Sequence, residues 1–159
     1  MADIRVQSAD FDVAAEVAAL QAGGDAGARE PGPHDIGAIV TFIGVCRNDG
    51  GRLAALELEH YPGMAEEEIA RVAAEAERRW PLKGLCVIHR YGLIRPGENI
   101  VLVVTASDHR QAAFEAASFL MDYLKTRAPF WKKEHLADGT SGGWVAPRQE
   151  DHEATTRWE

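Results

Sequence analysis

Three of the four lysines in this chain, Lys125, Lys132 and Lys133, fall in the stretch KTRAPFWKKE at residues 125–134. Every other cation among the 17, apart from Lys83, is an arginine. Arginine stays protonated near neutral pH, whereas a lysine amine can titrate, attack a carbon or carry a proton. Lysine kept against the habit of the chain therefore points to amine chemistry: proton transfer or a transient covalent adduct. In a strand-like FWKKEH side chains alternate, so one of Lys132 and Lys133 faces the body of the protein. An inward lysine among other cations has its pKa lowered, which suits it to that chemistry. Lys125 has a plainer alternative, because it follows Asp122 by three residues near a helix end, where both the side-chain pair and the helix dipole favour a cation.

Anion-binding groups lie elsewhere in the sequence. FIGVCRNDGG puts Arg47 just past an apolar run on a glycine-rich loop, the place for an anion clamp, although the pattern lacks the GK[ST] of a phosphate-binding P-loop. SDHRQ opens a helix in which Asp108 and Gln111 resemble a capping box, with His109 and Arg110 at the first helical positions. Cations there are disfavoured by the helix dipole; a bound anion would reverse that sign, and the alternative is that both side chains splay into solvent or pair with nearby carboxylates. Cys46 invites a thiol reading with Arg47 lowering its pKa, but a small cysteine at a strand end is more simply core. The histidines at 34, 60, 89, 109, 135 and 152 form no metal-binding pair spacing, so no metal is expected; His60 and His89 read as packing residues.

The formal net charge of -8 and pI near 5.2 argue against a nucleic-acid protein working through bulk electrostatics. Any anion site must be local. The two cysteines, Cys46 and Cys86, match no redox or zinc spacing. With neither a leader nor a membrane span legible, the expected compartment is the cytoplasm.

These groups need elements to hold them. DIRVQ (3–7) alternates as a strand and 12–21 reads as a helix, followed by a Gly/Pro-rich loop over 22–33 that sets off a small N-terminal unit. IGAIVTFIGV (36–45) is a buried strand, RNDGGR a turn, and 53–61 a strand with one wet face. Ile69, Val72, Ala73, Ala76 and Trp80 form the stripe of an amphipathic helix that Pro81 ends. LCVIHRYGLI and NIVLVVTAS read as an antiparallel hairpin around Arg95-Pro96-Gly97-Glu98, a type II turn. A second helix from His109 to Arg127 buries Ala113, Ala117, Leu120 and Leu124, with Glu115, Ser118, Asp122 and Lys125 opposite. WKKEHL and WVAP are strand-like. The pattern is an α+β domain with an antiparallel sheet and flanking helices over residues 1–147, followed by a polar C-terminal tail, 148–159.

Taken in order, GAIVTFIGVCR, LELEHYPGMAE, RWPL, VIHRYG, the SDHR and AFEA helix start, DYLKTRAPFWKKE and GGWV resemble the MoaE family, the catalytic subunits of molybdopterin synthase. The resemblance runs from about Ile36 to Val145. It implies an α/β-hammerhead-like fold and a homodimer, each copy binding a small ubiquitin-like sulfur-carrier subunit of MoaD type. The implied reaction moves sulfur from that subunit's C-terminal thiocarboxylate to cyclic pyranopterin monophosphate, building the molybdopterin dithiolene without a cofactor. Carried onto this chain, it makes Lys125 and Lys132 the expected catalytic lysines, with Arg47, His109 and Arg110 as anion and pterin contacts. Phe42, Val45, Cys46, Lys133 and Glu134 complete the expected substrate wall. A non-catalytic module holding an anionic ligand or a partner's acidic tail is the competing class; it needs the cations but not the amines.

Overall fold

In the computed structural model, residues 2–23, 35–146 and 148–159 are described. From residue 24 onward, the expected Gly/Pro loop lies outside them. The elements run β1 (Asp3–Gln7), α1 (Val13–Gln21), β2 (Ala38–Val45), β3 (Leu53–His60), α2 (Met64–Arg79), β4 (Leu82–Arg90), β5 (Gly92–Ile94), β6 (Asn99–Ser107), α3 (Arg110–Thr126), β7 (Phe130–Leu136), β8 (Ser141–Val145) and α4 (Gln149–Thr155), closed by a 3₁₀ turn, Thr156–Trp158. They build two four-stranded sheets, ordered β1-β4-β6-β2 and β5-β3-β7-β8. All pairings are antiparallel except β1 with β4. This is the α+β class expected.

β6 organises the first sheet because its apolar residues continue through both faces. Val101 and Val103 pack with Ile69, Val72 and Ala73 of α2 and Phe119, Leu120 and Leu124 of α3. Leu102 and Val104 point the other way, to Phe11 and to Leu20 of α1. Full burial of a side chain such as Ile69 or Leu120 is worth roughly 1.5–3 kcal/mol. The N-terminal unit is thus part of the main body, through β1 on β4 and α1 over the sheet.

Four expectations change, the first being that β2 is not a buried strand: Phe42, Ile43 and Val45 are exposed. The LCVIHRYGLI stretch is two strands, since Gly92 turns at φ 92° and sends β5 into the second sheet against β3. The type II turn itself forms, with Gly97 at φ 88° and Glu98 N–H donating to the Arg95 carbonyl at 3.0 Å. Asp108 is not the cap of α3; His109 holds the N-cap position, and Asp108 instead faces Lys83 at 3.6 Å. Finally, the polar tail folds back as α4 onto α3. Trp158 Nε1 donates to Asp122 at 2.6 Å, Arg157 pairs with the same carboxylate at 2.7 Å, and the Trp158 ring meets Trp80 and Phe119 edge-on. Asp122 is therefore taken by the tail, which removes it as the simple partner of Lys125. Among the described residues, no helix is long and apolar enough to cross a membrane.

Candidate active site

Where the end of β2, the C-terminal turn of α3 and the start of β7 converge, they enclose a cavity of about 440 Å³. Its shape follows from local sequence. Gly44 lets β2 close on β6, where an added Cβ would lie 2.6 Å from Val101 Cγ1. The strand then delivers Phe42, Val45, Cys46 and Arg47 to one wall. On the opposite side Arg127 ends α3 and Pro129 turns the chain into β7, so Lys125 on the last helical turn and Lys132 on the strand face the same space.

Alternation along β7 puts Lys132 and Glu134 on the cavity side and Lys133 on the outer face. There the Lys133 ammonium lies 5.9 Å from the Trp144 ring. Burial, with the Lys125 charge next, holds the Lys132 amine down at about 8, opposed by Asp151. A lysine near 8 has a useful free-amine fraction at neutral pH, which an ordinary lysine lacks. Glu134 is paired with Arg52 at 2.8 Å, and Arg52 also holds Asp49 at 2.8 Å.

The floor carries His89, stacked on Phe130 with centroids 3.8 Å apart and planes at 14°. His89 Nδ1 lies 2.9 Å from the Arg90 carbonyl, so it must carry the proton, and burial pushes the imidazole down to about 4. It is a neutral ring at working pH.

Of the residues singled out from sequence, Phe42, Val45, Cys46, Arg47, Lys125, Lys132 and Glu134 line the cavity. His109 and Arg110 do not; both are exposed at the start of α3. Arg52, Arg148 and Asp151 also line it and were not picked out, and His89, read from sequence only as a packing residue, lines it too. Arg52 and Arg148 offered only their charge as a signal, on a turn and in a polar tail. The thiol reading of Cys46 loses its support: the side chain is buried, its pKa is raised by burial, and Arg47 does not lower it. Among the described residues, Asp3, Glu16 and Cys86 come close enough to suggest a metal, but the Arg5 guanidinium pairs with both carboxylates and burial lifts Cys86 to about 11. That cluster already holds its cation.

Fold and site together define a class: a two-sheet α+β protein with a cavity lined by lysines and arginines beside a helix end. The family model described as MoaE protein matches residues 6–127. The chain is 65% identical to the molybdopterin synthase catalytic subunit of Mesorhizobium japonicum, over 98% of its own length and 92% of that protein. Among solved structures it resembles the molybdopterin biosynthesis MoaE protein from Burkholderia ambifaria MC40-6, with TM-score 0.80, 47% identity, and 99% and 98% of the two chains covered. It also resembles molybdopterin synthase from Staphylococcus aureus, with TM-score 0.75, 26% identity and coverage of 89% and 96%. The chain belongs to the MoaE family.

Proposed function

We propose that the chain is the catalytic subunit of a cytoplasmic molybdopterin synthase, a sulfurtransferase. It takes sulfur from the thiocarboxylated C-terminus of a small ubiquitin-like partner and places it on cyclic pyranopterin monophosphate. The observation that carries this reading is the Lys132 amine, half-buried, held near 8 and set beside Lys125 in a cavity that Arg47 and Arg148 also line. Both reactants are anions, so both are drawn to the same wall. The thiocarboxylate sulfur adds to a substrate carbon as an oxygen leaves as water, and a water then cleaves the acyl–sulfur bond, returning the partner's C-terminus as a carboxylate; each event needs a proton moved at close range. Lys132 is the group poised to give and take it, or to hold a transient adduct. Arg47 stabilises the charge that develops on the reacting oxygens.

His109 and Arg110 lie off the cavity, so their expected contact with the pterin requires a second copy to bring its α3 start over this site. A homodimer follows from that reading. The direct test mixes the purified chain with a thiocarboxylated small subunit and the pyranopterin, and measures dithiolene formation. Lys125→Arg and Lys132→Arg keep charge without a titratable amine. Loss of transfer in at least one is expected; full transfer in both would sink the amine role and favour a simple binding module.

A further inference from the structure

Glu134 and Lys132 stand two residues apart on the cavity face of β7, the spacing at which a carboxylate and an ammonium on one strand face are neighbours. A direct pair between them would keep Lys132 charged and block its chemistry. The structure holds Glu134 away from that pairing. Arg52 Nη1 lies 2.8 Å from Glu134 Oε2, while the same guanidinium donates through Nε to Asp49 at 2.9 Å. The backbone fixes Arg52 in turn: its carbonyl accepts from Ala137 N–H at 2.9 Å, and Leu53 N–H donates to Asn48 at 2.9 Å. On the next strand Gly142 clears the space Glu134 occupies, since a Cβ there would lie 3.1 Å from Glu134 Cβ and 3.3 Å from its Oε2.

We infer that Arg52 is a positioning residue: by clamping Glu134 to the Asp49 loop, it denies Lys132 a carboxylate partner and keeps the amine of the cavity free. The inference rests on the sulfur-transfer reading only for its catalytic consequence. Around Lys132 the other charged groups are Lys125 from α3, Arg148 and Asp151 from the tail, and neutral His89 from β4. Asp151 is the carboxylate that favours the charged amine, while Glu134 is held on Arg52 at 2.8 Å. Removing Arg52 releases a second carboxylate at closer sequence range. The same clamp ties the Arg47 loop to the catalytic strand, so binding and chemistry share one strut.

The experiment reads the amine without reference to turnover. Competitive acetylation, followed by mass spectrometry of the Lys132 peptide, gives its titration midpoint from neutral to strongly alkaline pH. In Arg52→Ala the midpoint is expected to rise by about one unit, an approximately tenfold loss of free amine near neutrality. Arg52→Lys, which keeps a cation beside Glu134, stays near the parent. Arg52→Ala combined with Glu134→Gln returns to it, because the released group no longer carries charge. An unchanged midpoint in Arg52→Ala, or no return in the double variant, overturns the inference; the Arg52→Lys protein reports whether the loop folds. If the midpoint moves as expected while sulfur transfer does not, the clamp stands and the amine role of Lys132 falls.

Discussion

Alternation is a property of strands whatever they pack against, so FWKKEH had to send one of Lys132 and Lys133 inward without saying which; only the family resemblance singled out Lys132, and β7 turns Lys132 to the cavity. The free-amine fraction rises as pH passes about 8, so sulfur transfer is expected to climb through that pH and to flatten above it. Lys132→Met should lower kcat by roughly 10²-fold or more, with a small change in KM, in single-turnover assays across pH. A profile that falls through pH 8 would mark the ammonium as the acting form. His89 was read only as packing, and it does pack, on Phe130. Its place on the cavity floor was not legible, because β4 and β7 belong to different sheets and no local pattern says that they meet. It also supplies a stability prediction. Its folded pKa of about 4 lies below the usual 6.5, so between those values the unfolded chain binds the extra proton. Stability therefore falls as pH drops from 6.5 to 4, by on the order of 2–3 kcal/mol. Urea titrations of the parent and of His89→Gln should show this dependence in the first and lose it in the second.

Elements were read well where periodicity is internal and poorly where a single backbone position decides. The stripe of α2 and the apolar run of β6 required no tertiary information. By contrast, the change of sheet at Gly92 rests on one positive φ, which a run of apolar residues conceals. The tail was read as polar and separate because helix α4 buries no residue of its own. What docks it is Trp158, three residues past its end, through the Trp80 and Phe119 rings and the Asp122 carboxylate. Arg148 and Asp151 ride on this element into the cavity wall, so undocking the tail would displace two charged groups of that wall. Trp158→Ala should cost about 2 kcal/mol by urea denaturation, less than a fully buried tryptophan because the ring is half-exposed. It should also raise KM for the pyranopterin several-fold, by loosening Arg148. An unchanged KM alongside the lost stability would separate the tail from the site.

At the scale of the whole molecule, the formal charge of -8 and an anion site are compatible only if the positive field is confined. The cavity wall achieves this with Arg47, Arg52, Lys125, Lys132 and Arg148 against Asp49, Glu134 and Asp151, while His89 stays neutral. Two of those carboxylates are bound to Arg52, so the outward-facing balance belongs to Arg47, Arg148 and the lysines. Low-dielectric walls focus such a field and raise the local concentration of an anion, and mobile salt screens it beyond roughly 8 Å at physiological strength. The surrounding acidic surface repels the same anions, which sharpens the contrast between the mouth of the cavity and everywhere else. Raising ionic strength should therefore lower kcat/KM for the pyranopterin by several-fold while leaving kcat nearly constant, because Lys132 inside the cavity is poorly screened once substrate is seated. Arg47→Gln should flatten that salt dependence as well as weaken binding. A salt-independent kcat/KM in the parent would mean that the substrate is captured by shape rather than by the focused charge.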